Sequence, residues 1–295
     1  MPPRTFARPG QRAQLLTLDV DSGATELVHE SSELLLEAPN WSADGRWLVV
    51  NGHGRLFRVR PAPGSEPEEV PLGGVPPINN DHVLSPDGRT AFVSADDGHL
   101  WAVPLEGGAP RRITNDRGPD FVHYLHGVSA DGAALAYIGL VRHGDGGVST
   151  NVWTIPSAGG ADVQITDDAF PDDGSEFSPD GRWIYFNSER ASTAPGHAQL
   201  FRTSLDGGAV EQLTDDERVN WFPHPSPDGT RVAYVSFPSG TVGHPADVDV
   251  VLRLREADGT VRDLVELFGG QGTLNVPSWA PDGRRLAYVA YPVER

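Results

Sequence analysis

One four-residue turn returns six times along this chain, and that recurrence limits the fold more than any other feature. It reads SADG at Ser42–Gly45 and Ser129–Gly132, SPDG at Ser85–Gly88, Ser178–Gly181 and Ser226–Gly229, and APDG at Ala280–Gly283. The aspartates fall at Asp44, Asp87, Asp131, Asp180, Asp228 and Asp282, at intervals of 43, 44, 49, 48 and 54 residues. Chemically this is a turn: proline presets φ, aspartate bonds backbone N–H groups, and glycine accepts positive φ. Six acids at regular spacing are therefore scaffold, spread around the molecule, and not a metal cluster.

Each turn leads into a short apolar strand, such as RWLVVN, RWIYFNS or TRVAYVSF. A variable loop, a second strand (RLFRVR, QLFRTSL), a Gly-containing hairpin and a short last strand (VQITD, EQLTD) follow. With the strand that must precede each turn, a unit is a four-stranded antiparallel meander. Such a unit cannot bury both faces alone; radial stacking of six solves the problem. The expectation is an all-β, six-bladed propeller forming a single domain over residues 1–295. The sixth unit breaks off after RRLAYVAYPVER, while Ala13–Glu30 has the form of the last two strands of a unit. N-terminal strands should therefore complete the last blade and close the ring, removing the sheet edges an open array would expose.

The turn, followed by Y/F-x-S and later by GG…LT, resembles the TolB-type (PD40, WD40-like) repeat over nearly the whole chain. The resemblance implies the propeller part of such proteins and a binding role. The smaller domain that precedes the propeller in full-length periplasmic TolB has no counterpart in these residues. NWFPHPSPDG, GHPADVDV and FGGQGTLNVPSWAPDG further resemble a subgroup of uncharacterised TolB-like bacterial proteins. The repeats are also similar to those of oligogalacturonate lyases, which implies a second reading with a His-held divalent metal, although those proteins have seven units.

Composition narrows the partners. A net charge of −18 opposes phosphate backbones and anionic membrane surfaces, so nucleic acid is excluded. The absence of Cys removes disulfides and thiolate chemistry. All 23 basic residues are Arg, which removes Schiff-base chemistry and a Walker-type phosphate loop. No stretch is long and apolar enough to insert in a membrane, and MPPRTFARPGQRAQ carries no signal-peptide core. As it stands the chain reads as cytoplasmic, or periplasmic if an export signal has been removed.

Propeller topology puts the start of each innermost strand on the same face as the loop between the second and third strands, opposite the repeated turns. That face collects the irregular residues. Strand entrances bring His82, His126, Asp173, Glu176, Asn220, Trp221, His224 and Asn275, and long loops bring Arg142, Arg190, His244, Asp247 and Asp249. Convergent polar groups at a concave mouth are where ligands bind. The expected ligand-binding set is His82, His126, Asn220, Trp221, His224, His244 and Asn275. His82, His126 and His224, each on a different inner strand, are candidates to hold Mn, Zn, Fe or Ni. Equally, they can simply bond channel waters and neighbouring strands. Glu37, Asp173 and Glu176 are candidate acid–base groups, with Arg190 as a clamp for an acidic substrate. His29 and His99, in or near repeat strands, are given no ligand role. Two functions stay open: a scaffold binding a protein segment or a small neutral or cationic ligand, carbohydrate included; or a carbohydrate lyase or hydrolase with a His-held divalent metal.

Overall fold

The structure, a computed structural model, describes residues 4–192 and 194–294. It contains five four-stranded antiparallel sheets and one three-stranded sheet, arranged as six propeller blades. The innermost strands of the first five are Glu37–Trp41, Ile78–Leu84, Phe121–Val128, Asp172–Phe177 and Val219–Pro225. Successive strands of these five blades run outward in chain order. Among the described residues no helix is long and apolar enough to cross a membrane.

The sixth blade closes as the truncated repeat requires. Ala13–Asp19 pairs with Arg285–Ala290 from Gln14↔Ala290 to Asp19↔Arg285, and Thr25–Ser31 pairs on its outer side. The blade departs from the four-strand expectation at its inner edge. Residues 273–279 meet the next strand through an isolated bridge, Trp279↔Leu286, and through Val289 N–H to Thr273 O at 3.1 Å. The same segment also bonds the first blade: Asn40 Nδ2 donates to Pro277 O (2.6 Å) and Ser278 Oγ to Pro39 O (2.7 Å). Its polar groups are shared between two blades, which makes it a seam instead of a regular strand.

The core lies between blades. Leu15, Val289 and Ala287 of the closing blade pack with Val50 and Phe57 of the first. Val49 and Leu56 pack with Val93 and Val103, Phe92 with Tyr137, Ile138 with Phe186, and Tyr185 with Tyr234. The repeat positions of Trp41, Trp101, Trp153 and Trp279 suggest wedges between blades; Trp41, Trp153 and Trp279 are buried, whereas Trp101 is only partly so. Trp47 and Trp183 lie instead under Arg60 and Arg202, with the guanidinium carbons 3.9 and 4.4 Å from the ring centroids.

The repeated turn performs the chemistry read from it. In the first copy Ser42 Oγ donates to Asp44 Oδ1 (2.7 Å), the same oxygen accepts from Arg46 N–H (3.0 Å), and Trp47 N–H donates to Ser42 Oγ (3.0 Å). Ser85, Ser129, Ser178 and Ser226 repeat the pattern. The proline has a second use. A Cβ on Gly132 would sit 3.2 Å from Pro86 Cδ, one on Gly229 3.9 Å from Pro179, and one on Gly283 3.9 Å from Pro227. Each proline thus abuts the glycine of the next turn, and Pro281 reaches Gly45 across the closure. Where the turn has alanine, at Ala43 and Ala130, the following Gly88 and Gly181 meet nothing within 4 Å.

Candidate functional site

Opposite those turns the channel opens into a cavity of about 1050 Å³. Its wall is shaped by bulges in the inner strands. The pairing of inner with second strand slips between Glu37 and Asn40, between Asp173 and Glu176, and between Trp221 and His224. At each slip the next residue takes a left-handed backbone: Ala38 (φ 52°), Gly174 (φ 66°) and Phe222 (φ 56°). Alanine and phenylalanine rarely adopt that conformation, so the ring holds them there at a cost in strain. In each case the residue before the slip, Glu37, Asp173 or Trp221, lines the cavity, whereas Asn40, Glu176 and His224 beyond it do not. The second blade slips between Ile78 and His82, with Asn79, Asn80 and Asp81 on the wall.

A cluster of two acids and two imidazoles occupies the centre. His126 Nε2 lies 2.9 Å from Asp173 Oδ1, and its Nδ1 donates to Asn275 O at 3.4 Å. His244 Nε2 lies 3.5 Å from Asp173 Oδ2, and its Nδ1 bonds Gln271 Oε1 at 2.5 Å. Burial opposes a charge on His126, but Asp81 and the bonded Asp173 outweigh it and push the imidazole up to about 9. His244 is raised for the same reason, Asp173 and Gln271 overcoming burial. Burial works against ionising Asp173 too, yet the two imidazoles hold it well below the usual carboxylate range. Asp81 moves the other way: burial raises it, only partly offset by His126. Its carboxylate accepts from Asn79 Nδ2 at 2.7 Å. Trp221 packs on His244 with ring centroids 4.6 Å apart, and its buried Nε1 has no hydrogen-bond partner, like Asn80 Nδ2 and Asn51 Oδ1 on the same wall.

The expected site residues therefore divide. His126, Asp173, Trp221, His244, Asn275 and Glu37 meet at the cavity. His82 is fully buried, with Nε2 3.2 Å from Val49 O of the neighbouring blade, and burial depresses it to about 4. Asn220 is spent on Gln199 (3.0 Å) and on Ser236 Oγ, which donates to its Oδ1 at 2.7 Å. His224 has both nitrogens engaged, Nδ1 with Glu176 Oε2 (2.6 Å) and Nε2 with Leu274 O (3.0 Å). The His82–His126–His224 ligand set is thus not assembled, and among the described residues no group of three or more His, Asp or Glu is arranged to hold a metal ion. Glu176 belongs to a recess of about 280 Å³ on the side of the repeated turns, away from Glu37 and Asp173. Arg190 is committed to Asp172, with Nη2 2.9 Å from Oδ1, and is not free to clamp a substrate. Conversely His99, given no role from sequence, reaches the cavity wall, while His29 bonds Ser65 O at 2.9 Å.

Sequence reasoning missed Arg4, Gln271 and Phe222. Arg4 precedes every repeat, and no spacing connects it to the mouth it reaches. Phe222 lies in the quoted NWFPH stretch, but its left-handed backbone has no composition signal. Gln271 was legible in principle: FGGQG interrupts the sixth unit beside Asn275.

No family model matches the chain. An uncharacterized protein of Agrobacterium fabrum is 38% identical over 99% of this chain and 97% of its own length. A structure solved as a candidate TolB from Agrobacterium tumefaciens superposes with a TM-score of 0.87 at 38% identity, covering 96% of this chain and 99% of that one. The chain belongs to the TolB-like β-propeller family. The Tol-Pal system protein TolB of Francisella tularensis is 24% identical over 94% of this chain, which spans only 61% of that protein's length. An oligogalacturonate lyase in complex with manganese superposes with a TM-score of 0.59 at 15% identity, over 89% of this chain and 75% of the lyase. That likeness concerns the fold alone. The family also corrects one expectation: its TolB members are periplasmic components of the Tol-Pal system, which overturns the cytoplasmic reading taken from the N-terminal sequence.

Proposed function

We propose that the TolB-like ring is a binding module whose channel mouth receives an extended, cationic protein segment. The observation that carries this reading is the cavity itself. At about 1050 Å³ it is at the upper limit of ordinary small-molecule pockets. Its wall sets Asp81 and Asp173 beside the unpaired Asn80 Nδ2 and Asn51 Oδ1 and the face of Trp221. The two imidazoles already match Asp173, so the negative charge open to a cationic segment is that of Asp81 with Asp97, Asp116 and Glu189 on the same wall, and the net charge of −18 steers such a partner toward the ring. The kinship with Tol-Pal system proteins supports a protein partner over a metabolite.

The test is a panel of immobilised twelve-residue peptides varied in charge, probed with wild-type protein and with Asp81→Asn. Basic peptides should be retained, and Asp81→Asn should weaken them at least ten-fold. Retention of acidic and basic peptides alike, or indifference to Asp81→Asn, would remove the reading.

A further inference from the structure

Beside the acid–imidazole cluster, where the closing blade meets the first, the wall forms a receptor for a guanidinium. Arg4 fills it. Its Nη1 donates to Gln271 O at 2.6 Å and to Glu37 Oε1 at 3.3 Å, and its Nη2 donates to Asp247 Oδ1 at 3.0 Å. The Tyr291 ring lies below, 4.1 Å from Cζ to centroid. Two carboxylates, a carbonyl and an aromatic face are the complement a planar five-donor cation requires.

The receptor is also built independently of its occupant. Asn51 Nδ2 donates to Glu37 Oε2 at 3.2 Å, Tyr291 Oη donates to Leu36 O at 3.0 Å, and Gln11 Nε2 donates to Asp247 Oδ1 at 2.5 Å. Asp247 keeps a left-handed backbone (φ 63°). Gly272 makes the space: a Cβ there would lie 2.7 Å from Glu37 Oε1 and 3.0 Å from Arg4 Nη1. The segment carrying Arg4 is anchored by side chains, Phe6 packing against the core between the closing and first blades and Arg8 lying 4.8 Å over the Phe268 ring, while its backbone is held less firmly. It joins no strand before the Gln11↔Val293 bridge, and the N–H groups of Ala7 and Arg8 both rely on the Gln11 side chain. Arg4 nevertheless borders the same cavity as Asp81 and Asp173.

We propose that Glu37, Asp247, the Gln271 carbonyl and Tyr291 form a subsite for an arginine side chain of the bound segment, and that Arg4 is a tethered occupant which the incoming arginine displaces. This rests on the cationic-segment reading above and adds to it a required guanidinium and a competing contact within the chain.

The experiment uses the full chain, wild type and Arg4→Ala, titrated calorimetrically with N-acetylarginine amide and N-acetyllysine amide. Arg4→Ala should bind the arginine amide at least ten-fold more tightly than wild type does, and at least ten-fold more tightly than it binds the lysine amide. Glu37→Gln in the Arg4→Ala background should abolish the difference. Arg4→Lys serves if the alanine variant does not fold, because the ammonium preserves charge without covering the tyrosine face; the same arginine preference is expected. Equal binding to wild type and variant, no preference over lysine, or unfolding of both variants without rescue by the arginine amide would each make Arg4 a fixed clasp and overturn the proposal. The two readings fail separately. Basic peptides held through Asp81 but no tighter on Arg4→Ala would refute the subsite alone. Arginine amide bound by Arg4→Ala with no peptide retained would refute the segment alone.

Discussion

Replacing Asp173 with Asn should flatten the alkaline limb of the stability curve. The carboxylate touches both His126 (2.9 Å) and His244 (3.5 Å) inside the ring. In the folded protein His126 holds its proton up to about 9, against an ordinary value of 6.5. A histidine with a raised folded pKa binds its proton more tightly folded than unfolded. Its contribution is therefore complete below 6.5 and is lost as pH climbs through 9. At about 1.36 kcal/mol per unit, the interval corresponds to roughly 3 kcal/mol. His244 is shifted the same way and adds to the slope. Urea unfolding at pH 6, 7, 8 and 9 should show the wild-type free energy falling by about that amount over the window. Asp173→Asn should start lower at pH 6 and fall less, because only Asp81 and the Asn275 carbonyl remain to favour the charged imidazole. Parallel curves for the two proteins, or a flat wild-type curve, would refute the assignment of His126 as a buried cation.

On the acid side, burial depresses His82 and His123 to about 4, so their contributions are complete above 6.5 and lost as pH falls toward 4; His82→Gln should shallow that limb in the same urea series. His224→Ala leaves Glu176 buried without its partner and should cost about 3–5 kcal/mol, read as a lower urea midpoint. Gly174→Ala combines φ 66° with a Cβ 2.9 Å from Asn187 Oδ1 and 3.1 Å from Phe222 Cα, and should destabilise by about 1–3 kcal/mol. Ala43→Pro and Ala130→Pro restore the proline found in the other turns and its contact with Gly88 and Gly181; each should raise the melting temperature, by about 0.4–1 kcal/mol of stability.

The ring was readable from sequence because its cause is local and repeated. A turn needs Asp and Gly at fixed offsets, so six copies announce six blades, and a missing pair of strands at one end matches a surplus pair at the other. Closure through Ala13–Asp19 and Arg285–Ala290 follows from counting alone. Even the alternation of SPDG and SADG maps onto contacts, since the glycine after each alanine-bearing turn is the one that meets nothing.

The site was readable only as far as the side to which a residue belongs, because strand periodicity assigns faces and the inner strands break periodicity where it matters. A one-residue slip transfers every later side chain to the opposite face. Trp221 and His224 share the quoted NWFPH stretch, yet the slip beyond Trp221 sends the tryptophan to the cavity and seats the histidine between Glu176 and Leu274. Asp173 and Glu176 part in the same way, and with them goes any shared use of the two carboxylates. Glycine at 174 hints at such a slip; alanine at 38 and phenylalanine at 222 conceal it, since neither residue is chosen for a left-handed backbone. The strain at Ala38 and Phe222 is consequently the most informative departure in the chain. A ring that needed only stability would relax it, whereas these slips aim Glu37, Asp173 and Trp221 into one cavity from three blades.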